Sequence, residues 1–325
     1  MRERKPAGDG KAEPTVIFSH ASRDPIMGAG CILLFVVFWT GSLLFPFWFF
    51  ALIRARWLLT LAFLLAVSAI GYVGLPRNET FGKFVAKWVP RYYAKASVRC
   101  DSSLPDFSTG KTVYLCHPHG IFCDGLQLFG LCTDARKHLR FAMSEVLLWA
   151  PLFRLLFCLL AKPMGVSKAS VLRTMREGHS FAIAAGGFEE ATLTCLHKDR
   201  VFVSKRKGIF KYALENGYSV VPVYAFGESE CFLNPQGMWG FRFWLNSLGV
   251  PAVMPAGNPW LPLLPRISPE GLHVVIGQRL SAGQIAEPKT EDIDSFHQRF
   301  VDELKKLYER HRGLVGKEGV DLEVW

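Results

Sequence analysis

The chain has no GxSxG elbow, no P-loop and no GxGxxG. Their absence removes the commonest hydrolase, nucleoside-triphosphatase and dinucleotide readings. No CxxC pair occurs among the eight cysteines, which are scattered at positions 31, 100, 116, 123, 132, 158, 195 and 231. Several lie in apolar runs, where cysteine acts as a small hydrophobe, so a reducing, cytosol-facing domain is expected. No arginine-rich helix, zinc knuckle or aromatic RNA-binding signature accompanies the net charge of +10, and no nucleic-acid partner is expected. The charge reads instead as attraction to a membrane surface or to a polyanionic small substrate. The first 27 residues are polar and basic, so no cleavable signal peptide is expected, and there is no internal repeat.

Apolar surface, by contrast, is abundant. Half of the 325 residues are hydrophobic, with 26 phenylalanines and nine tryptophans. Aromatics at that density suit a bilayer interface or an acyl-chain pocket. Residues 1–27, carrying Arg2, Arg4, Lys5, Lys11 and Arg23, read as a disordered cytosolic tail. Two nearly uncharged runs follow, 28–53 and 57–75, divided by Arg54-Ala55-Arg56. At 1.5 Å per residue each is long enough to cross a hydrocarbon core of roughly 30 Å. They predict a membrane hairpin over 28–75, transmembrane or re-entrant, with Pro46 kinking its first arm. Basic residues outside both ends, including Arg77, Lys83, Lys87 and Arg91, place those ends in the cytosol. On that topology the Asn78-Glu79-Thr80 glycosylation sequon stays unused.

Residues 76–110 read as an amphipathic linker and 313–325 as a loose tail. Between them, 111–312 alternates short apolar strands at 113–116, 181–184, 220–224 and 272–276 with helical stretches at 146–160, 171–177 and 209–216. That alternation predicts an α/β layered domain. The last helix is expected to be capped by Thr290, striped by Ile293, Phe296, Phe300, Leu304 and Leu307, and stopped by Gly313. Aromatic stretches at 141–161 and 237–265 are expected to dip into the membrane interface.

Four blocks carry chemistry. In Val113-Tyr114-Leu115-Cys116-His117-Pro118-His119-Gly120-Ile121-Phe122-Cys123-Asp124-Gly125 a buried strand ends in a turn crowded with ionisable groups. The two histidines face one way if the extended conformation persists through Pro118. With His119 in the turn before a helix, the Asp124 carboxylate is in reach of its ring, a proton-transfer device. The alternatives are a turn-capping histidine with an ordinary helical aspartate, or a metal site, although no second ligand pair stands at recognisable spacing. The second block runs from Ile183 through Gly186-Gly187 to Glu189-Glu190; its glycines admit close backbone approach to a ligand. The third, Lys205-Arg206-Lys207-Gly208 at a helix start, suits the phosphates of coenzyme A, or is a solvated basic turn. The fourth, Val221-Pro222-Val223-Tyr224 through Gly227-Glu228, is a core strand whose Glu228 and Glu230 are functional or structural.

In order and spacing these blocks resemble the type-2 diacylglycerol acyltransferase family, which includes monoacylglycerol and wax-alcohol acyltransferases. The resemblance runs over roughly 28–312. It implies a glycerolipid-acyltransferase-like α/β domain and acyl-CoA-dependent esterification of a lipid hydroxyl at the endoplasmic reticulum membrane and lipid droplets. It also implies acyl-CoA as co-substrate, with no resident cofactor or metal. By resemblance His119 is the base, with His117 supporting the turn and Asp124 or Glu190 orienting it. Gly120, Gly186, Gly187, Arg206, Lys207, Gly208 and Glu228 then fall at substrate-binding positions. Two departures stand out: Ala185 replaces a frequent proline, and His119 with Asp124 forms the His-x4-Asp pattern of the wider glycerolipid acyltransferases.

The sequence thus predicts an enzyme making triacylglycerol from diacylglycerol at the bilayer. Monoacylglycerol or a fatty alcohol is the alternative acceptor, a non-enzymatic lipid-droplet hairpin protein or a metal hydrolase the alternative class. Homo-oligomerisation is left open.

Overall fold

The computed structural model describes residues 14–20, 22–55, 57–73, 75–101 and 103–325. The basic residues of the tail at 2, 4, 5 and 11, and Arg56 in the expected hairpin turn, lie outside them. Among the described residues there are ten strands: β1 (Thr15–His20), β2 (Ala96–Cys100), β3 (Thr112–His117), β4 (Arg140–Met143), β5 (Lys162–Gly165), β6 (Phe181–Ala184), β7 (Asp199–Val201), β8 (Ser219–Phe226), β9 (Leu272–Ile276) and β10 (Leu322–Val324). Eight form one sheet in the order β1-β2-β9-β8-β3-β6-β4-β5, and β10 pairs with β7 in a separate ribbon. Pairing is parallel except for β1 with β2 and β8 with β9. Parallel strands are covered on both faces, so β3 and β8 read as unbroken buried runs.

Alternation along β3 sends Tyr114 and Cys116 into one core, with Tyr92, Phe129 and Val98, and Val113 and Leu115 into the other. The second core is sealed by the helix Thr290–His311 through Phe296, Phe300, Leu304 and Leu307. Pro222 is tolerated inside β8 because its backbone faces Gly277, just past the end of β9, where the Pro222 carbonyl still accepts the Gly277 N–H.

Several expectations are corrected at their edges. Residues 15–20, assigned to a disordered tail, form β1, and 96–100, assigned to a linker, form β2; the sheet therefore reaches well before residue 111. The linker also holds the helix Glu79–Trp88, capped by Asn78, whose side chain accepts the Phe81 N–H. The expected helix at 146–160 is two, Glu145–Trp149 and Pro151–Leu160, because proline favours a helix start. Residues 141–143 belong to buried β4 rather than to an interface segment. Lys289, not Thr290, is the N-cap of the last helix, its N–H held by the Asp292 carboxylate. That helix ends at His311, and Gly313 lies inside the following turn Arg312–Val315, which Gly316 closes at φ +64°. The tail is not loose, since β10 pairs with β7 in register Leu322↔Asp199 to Val324↔Val201.

The expected hairpin is built of three helices, Pro25–Leu43, Phe45–Arg54 and Leu58–Val73. Pro46 falls in the first turn of the second, where its missing N–H costs nothing, and the first arm divides at Leu44. Among the described residues no helix is long and apolar enough to cross a membrane. These helices nevertheless leave large apolar side chains in the open, among them Phe47, Phe50, Leu59, Phe63 and Val73.

Candidate active site at the ends of the central strands

The site gathers where β3, β6 and β8 end. Strand β3 stops at His117, so the extended run does not carry through to His119, and the two imidazoles part company. His117 is wholly buried, its ring centroid 6.1 Å from that of Phe300. Its Nδ1–H donates to the Glu190 carboxylate, 2.9 Å from Oε2 and 3.1 Å from Oε1. Glu190 also accepts the backbone N–H of His119 at 2.5 Å and that of Phe202 at 2.6 Å. Burial pushes the Glu190 carboxyl up, but the His117 imidazole, its hydrogen bond, the Phe202 N–H and the nearby His119 together hold it below the ordinary value.

Glu190 reaches this position because β6 feeds the helix Gly187–Leu193 through the double glycine. A Cβ on Gly186 would lie 2.1 Å from Glu190 Oε2, and Gly187 sits at φ +61°, where only glycine is unstrained. The second block of the sequence is therefore a seat for Glu190.

His119 is half-buried in the turn before the helix Asp124–Leu131, as the pairing with Asp124 required. Yet the two side chains do not bond. His119 Nδ1 lies 2.8 Å from the Gly120 carbonyl oxygen, which only accepts, so Nδ1 carries the proton and Nε2 the lone pair. Cys123 Sγ packs against the ring, 3.5 Å from Nδ1 and 3.6 Å from Nε2. Neither Asp124 nor Glu190 orients this imidazole through its ring; a backbone carbonyl does, while Glu190 fixes the backbone that carries it.

Asp124 belongs to a second acidic group. Its Oδ1 accepts the Tyr93 hydroxyl at 3.0 Å, and its Oδ2 is buried with no hydrogen-bond partner among the described residues. Glu228, 1% exposed, accepts the backbone N–H of Asp124 at 3.1 Å and that of Gly125 at 2.5 Å. It supplies the N-terminal cap that Cys123, at the N-cap position, does not. A Cβ on Gly120 would lie 1.8 Å from Glu228 Oε1, which with φ +61° restricts that position to glycine. Burial pushes the Asp124 carboxyl up to about 6 against the lowering effect of Tyr93. It pushes Glu228 well up too, reinforced by the Asp124 charge and opposed by the two backbone N–H groups. Glu228 is thus a buried helix cap packed against the turn at Gly120.

The basic block is partly spoken for. Arg206 donates to Glu189 at 2.5 Å, and Lys207 pairs with Asp294 at 2.7 Å. Arg206 remains half-buried, and Lys205 and Lys207 are exposed, at the start of the helix Gly208–Asn216. Among the described residues no three His, Cys, Asp or Glu side chains are grouped to hold a metal ion. Sequence reasoning missed Tyr93, the Phe202 N–H and the packing of Cys123 on His119. Tyr93 and Phe202 carry no local signal, since both act through contacts made only in the fold.

This arrangement sets a half-buried histidine in the turn just past a strand end, beside buried carboxylates, on an α/β sheet. The chain matches the family model described as "Diacylglycerol acyltransferase" over residues 50–324 and belongs to that family. It is 33% identical over 222 residues to 2-acylglycerol O-acyltransferase 1 of Bos taurus, covering 62% of this chain and 65% of that one. It is 30% identical over 171 residues to Diacylglycerol O-acyltransferase 1 of Eremothecium gossypii, covering 49% and 37%. It is 26% identical over 238 residues to Acyl-CoA wax alcohol acyltransferase 2 of Homo sapiens, covering 65% and 69%. The chain thus spans just under two thirds of the bovine relative's length. Among solved structures it is similar to the 1-acyl-sn-glycerophosphate acyltransferase PlsC of Thermotoga maritima, with a TM-score of 0.40 and 16% identity over 86% of this chain and 98% of that one.

Proposed function

We propose that the chain is an acyl-CoA-dependent O-acyltransferase that esterifies diacylglycerol to triacylglycerol, with His119 as its base. The observation that carries this reading is the His119 tautomer: Nδ1–H rests on the Gly120 carbonyl, so the lone pair belongs to Nε2 on a half-buried ring. In the reaction Nε2 takes the proton from the acceptor hydroxyl, whose oxygen attacks the thioester carbonyl of acyl-CoA. The tetrahedral intermediate collapses, the C–S bond breaks, and the coenzyme A sulfur leaves with the proton returned from His119. No acyl-enzyme forms. Arg206, Lys207 and Lys205, with the N-terminus of the helix Gly208–Asn216, are the groups that receive the phosphates of coenzyme A, Arg206 and Lys207 exchanging their present acidic partners for them.

The acceptor comes from a bilayer. Exposed Phe47, Phe50, Leu59, Phe63 and Val73 on the N-terminal helices, with Trp244 and Trp260 farther along, support a protein seated in the membrane interface. The proposed location is the endoplasmic reticulum membrane or a lipid droplet, with the site on the cytosolic side. Monoacylglycerol is the second reading, because the bovine relative at 33% identity is named for a 2-acylglycerol acceptor.

The test is to incubate membranes containing the protein with labelled oleoyl-CoA and a panel of diacylglycerol, monoacylglycerol and fatty alcohol. Labelled triacylglycerol is expected, falling by about 10²–10⁴-fold in His119→Ala. Full activity in that variant, with membrane association retained, rejects the mechanism; label in another ester reassigns the acceptor.

A further inference from the structure

Residues 322–325 run alongside the segment 199–204, whose Phe202 N–H binds Glu190. The backbone of Asp199–Ser204 offers two edges. On one, Val201 O accepts the Trp325 N–H at 2.9 Å, and the N–H groups of Val203 and Ser204 donate to the Trp325 backbone oxygen at 3.1 and 2.9 Å. On the other, the Phe202 N–H donates to Glu190 Oε2. With Val201 O and the Val203 N–H both turned to Trp325, the Phe202 N–H between them is turned the other way, toward Glu190, so the donor that fixes Glu190 follows from the pairing of this segment with the C-terminal residues.

Lys317 closes the arrangement. Its ammonium is buried and donates to Asp199 Oδ2 at 3.0 Å, Glu230 Oε1 at 2.9 Å and Ser229 Oγ at 2.9 Å, which uses all three of its N–H bonds. Ser229 Oγ donates in turn to Asp199 Oδ1 at 2.9 Å, and the Tyr308 hydroxyl to Asp199 Oδ2 at 2.9 Å. Asp199 is the first residue of β7, and Ser229 and Glu230 directly follow Glu228. One ammonium therefore ties together the two segments that support the site: the strand donating to Glu190 and the turn carrying the Glu228 cap.

We propose that residues 317–325 are a positioning clasp for acyl transfer, with Lys317 the positioning residue at its centre. This rests on the acyl-transfer reading above. Lys317 touches no substrate; it acts through the Phe202 N–H on Glu190, and thereby on the backbone of His119 and the ring of His117. A purely structural lysine would change how much protein is folded. A positioning lysine changes the turnover of the protein that is folded.

The full chain, reconstituted in phosphatidylcholine vesicles with diacylglycerol and labelled oleoyl-CoA, provides the test. In Lys317→Met, kcat is expected to fall about 10- to 100-fold, the scale of a small misplacement of reacting groups, with KM for oleoyl-CoA within about two-fold. Lys317→Arg, which keeps the charge, is expected to recover most of the loss. Should Lys317→Met fail to fold, Ser229→Ala removes one of the three contacts and is expected to lower kcat by about three-fold with KM unchanged. The clasp is overturned if kcat per folded molecule is unchanged, if the loss falls on KM alone, or if it follows the melted fraction. Wild-type protein without any acyl-CoA turnover would instead overturn the acyl-transfer reading, and the clasp with it.

Discussion

Two buried acidic groups flank one turn, and they titrate in opposite directions. Glu190 is wrapped by cationic or donating neighbours: the His117 ring and the N–H groups of His119 and Phe202. It is held below the ordinary glutamate value despite its burial. Asp124 and Glu228 are buried too, but among the described residues no cation contacts them; Tyr93 and two backbone N–H groups are their donors, and both are pushed up. Burial alone therefore does not decide ionisation. What decides it is whether the carboxylate meets a counter-charge as well as hydrogen-bond donors. Glu190 is a fixed anion that organises the His117 ring and the His119 backbone, while Asp124 and Glu228 are carboxyls pushed toward their protonated forms, of which Glu228 caps a helix.

Removing the charge on the compensated side should cost most. Glu190→Gln leaves His117 without its anionic partner and sets an amide N–H₂ against one of the two backbone N–H groups that bind its oxygens. A loss of roughly 3–5 kcal/mol is expected by chemical denaturation, with turnover falling at least as steeply as folding. A Glu190→Gln protein of wild-type stability would erase the contrast. On the other side, Glu228→Gln removes a charge that the site already disfavours and is expected to cost about 1–3 kcal/mol, the penalty of one mismatched backbone donor.

Gly120 separates the two groups, and Gly120→Ala tests whether they can be pushed apart. The new Cβ would fall on Glu228 Oε1 at a positive φ. Destabilisation of about 2–4 kcal/mol is expected, together with loss of acyl transfer. Wild-type melting and activity would show that the turn relaxes freely.

Asp124→Asn sharpens the comparison through pH. Asp124 binds its proton more tightly in the folded chain, near 6, than at its ordinary 3.8. The folded state thus holds more protons between those values, so stability falls as pH rises through that window and levels off above it. Asparagine removes the decline and still accepts the Tyr93 hydroxyl. The variant is expected to be more stable at pH 7 by roughly 3 kcal/mol at most, with the gain vanishing below about pH 4. A gain that grows toward acid would reverse the assignment. The smallest effect is expected at the rim: Lys207→Ala breaks an exposed pair with Asp294 and should cost under about 1 kcal/mol, while raising KM for acyl-CoA more at low salt than at high. A KM indifferent to this change would remove Lys207 from the coenzyme A site.

Much of the central sheet was legible because its signals are local. The apolar runs ending in Cys116 and Ala184 and those around Val221 and Val274 each read as strands, and each lies in one. The double glycine announced a close approach, although its occupant is the Glu190 side chain rather than a ligand. Other features had no local signal. Residues 15–20 and 322–324 are short and partly polar, and they become strands only because a partner edge is there to pair with. Tyr93 meets Asp124 across 31 residues, and Phe202 supplies Glu190 with an N–H that every residue but proline possesses.

By itself the sequence determined the chemistry available, namely a histidine at a strand end, carboxylates close by, a basic rim and apolar N-terminal runs. Residue type and short-range spacing suffice for that. Only the tertiary structure decided which carboxylate serves which partner. It gave Glu190 to His117 and to the His119 backbone, Gly120 to the His119 ring, and Glu228 to a helix end. Those choices depend on where separate strands finish in space, and a hydrogen bond is won by the group that arrives within about 3 Å at the right angle.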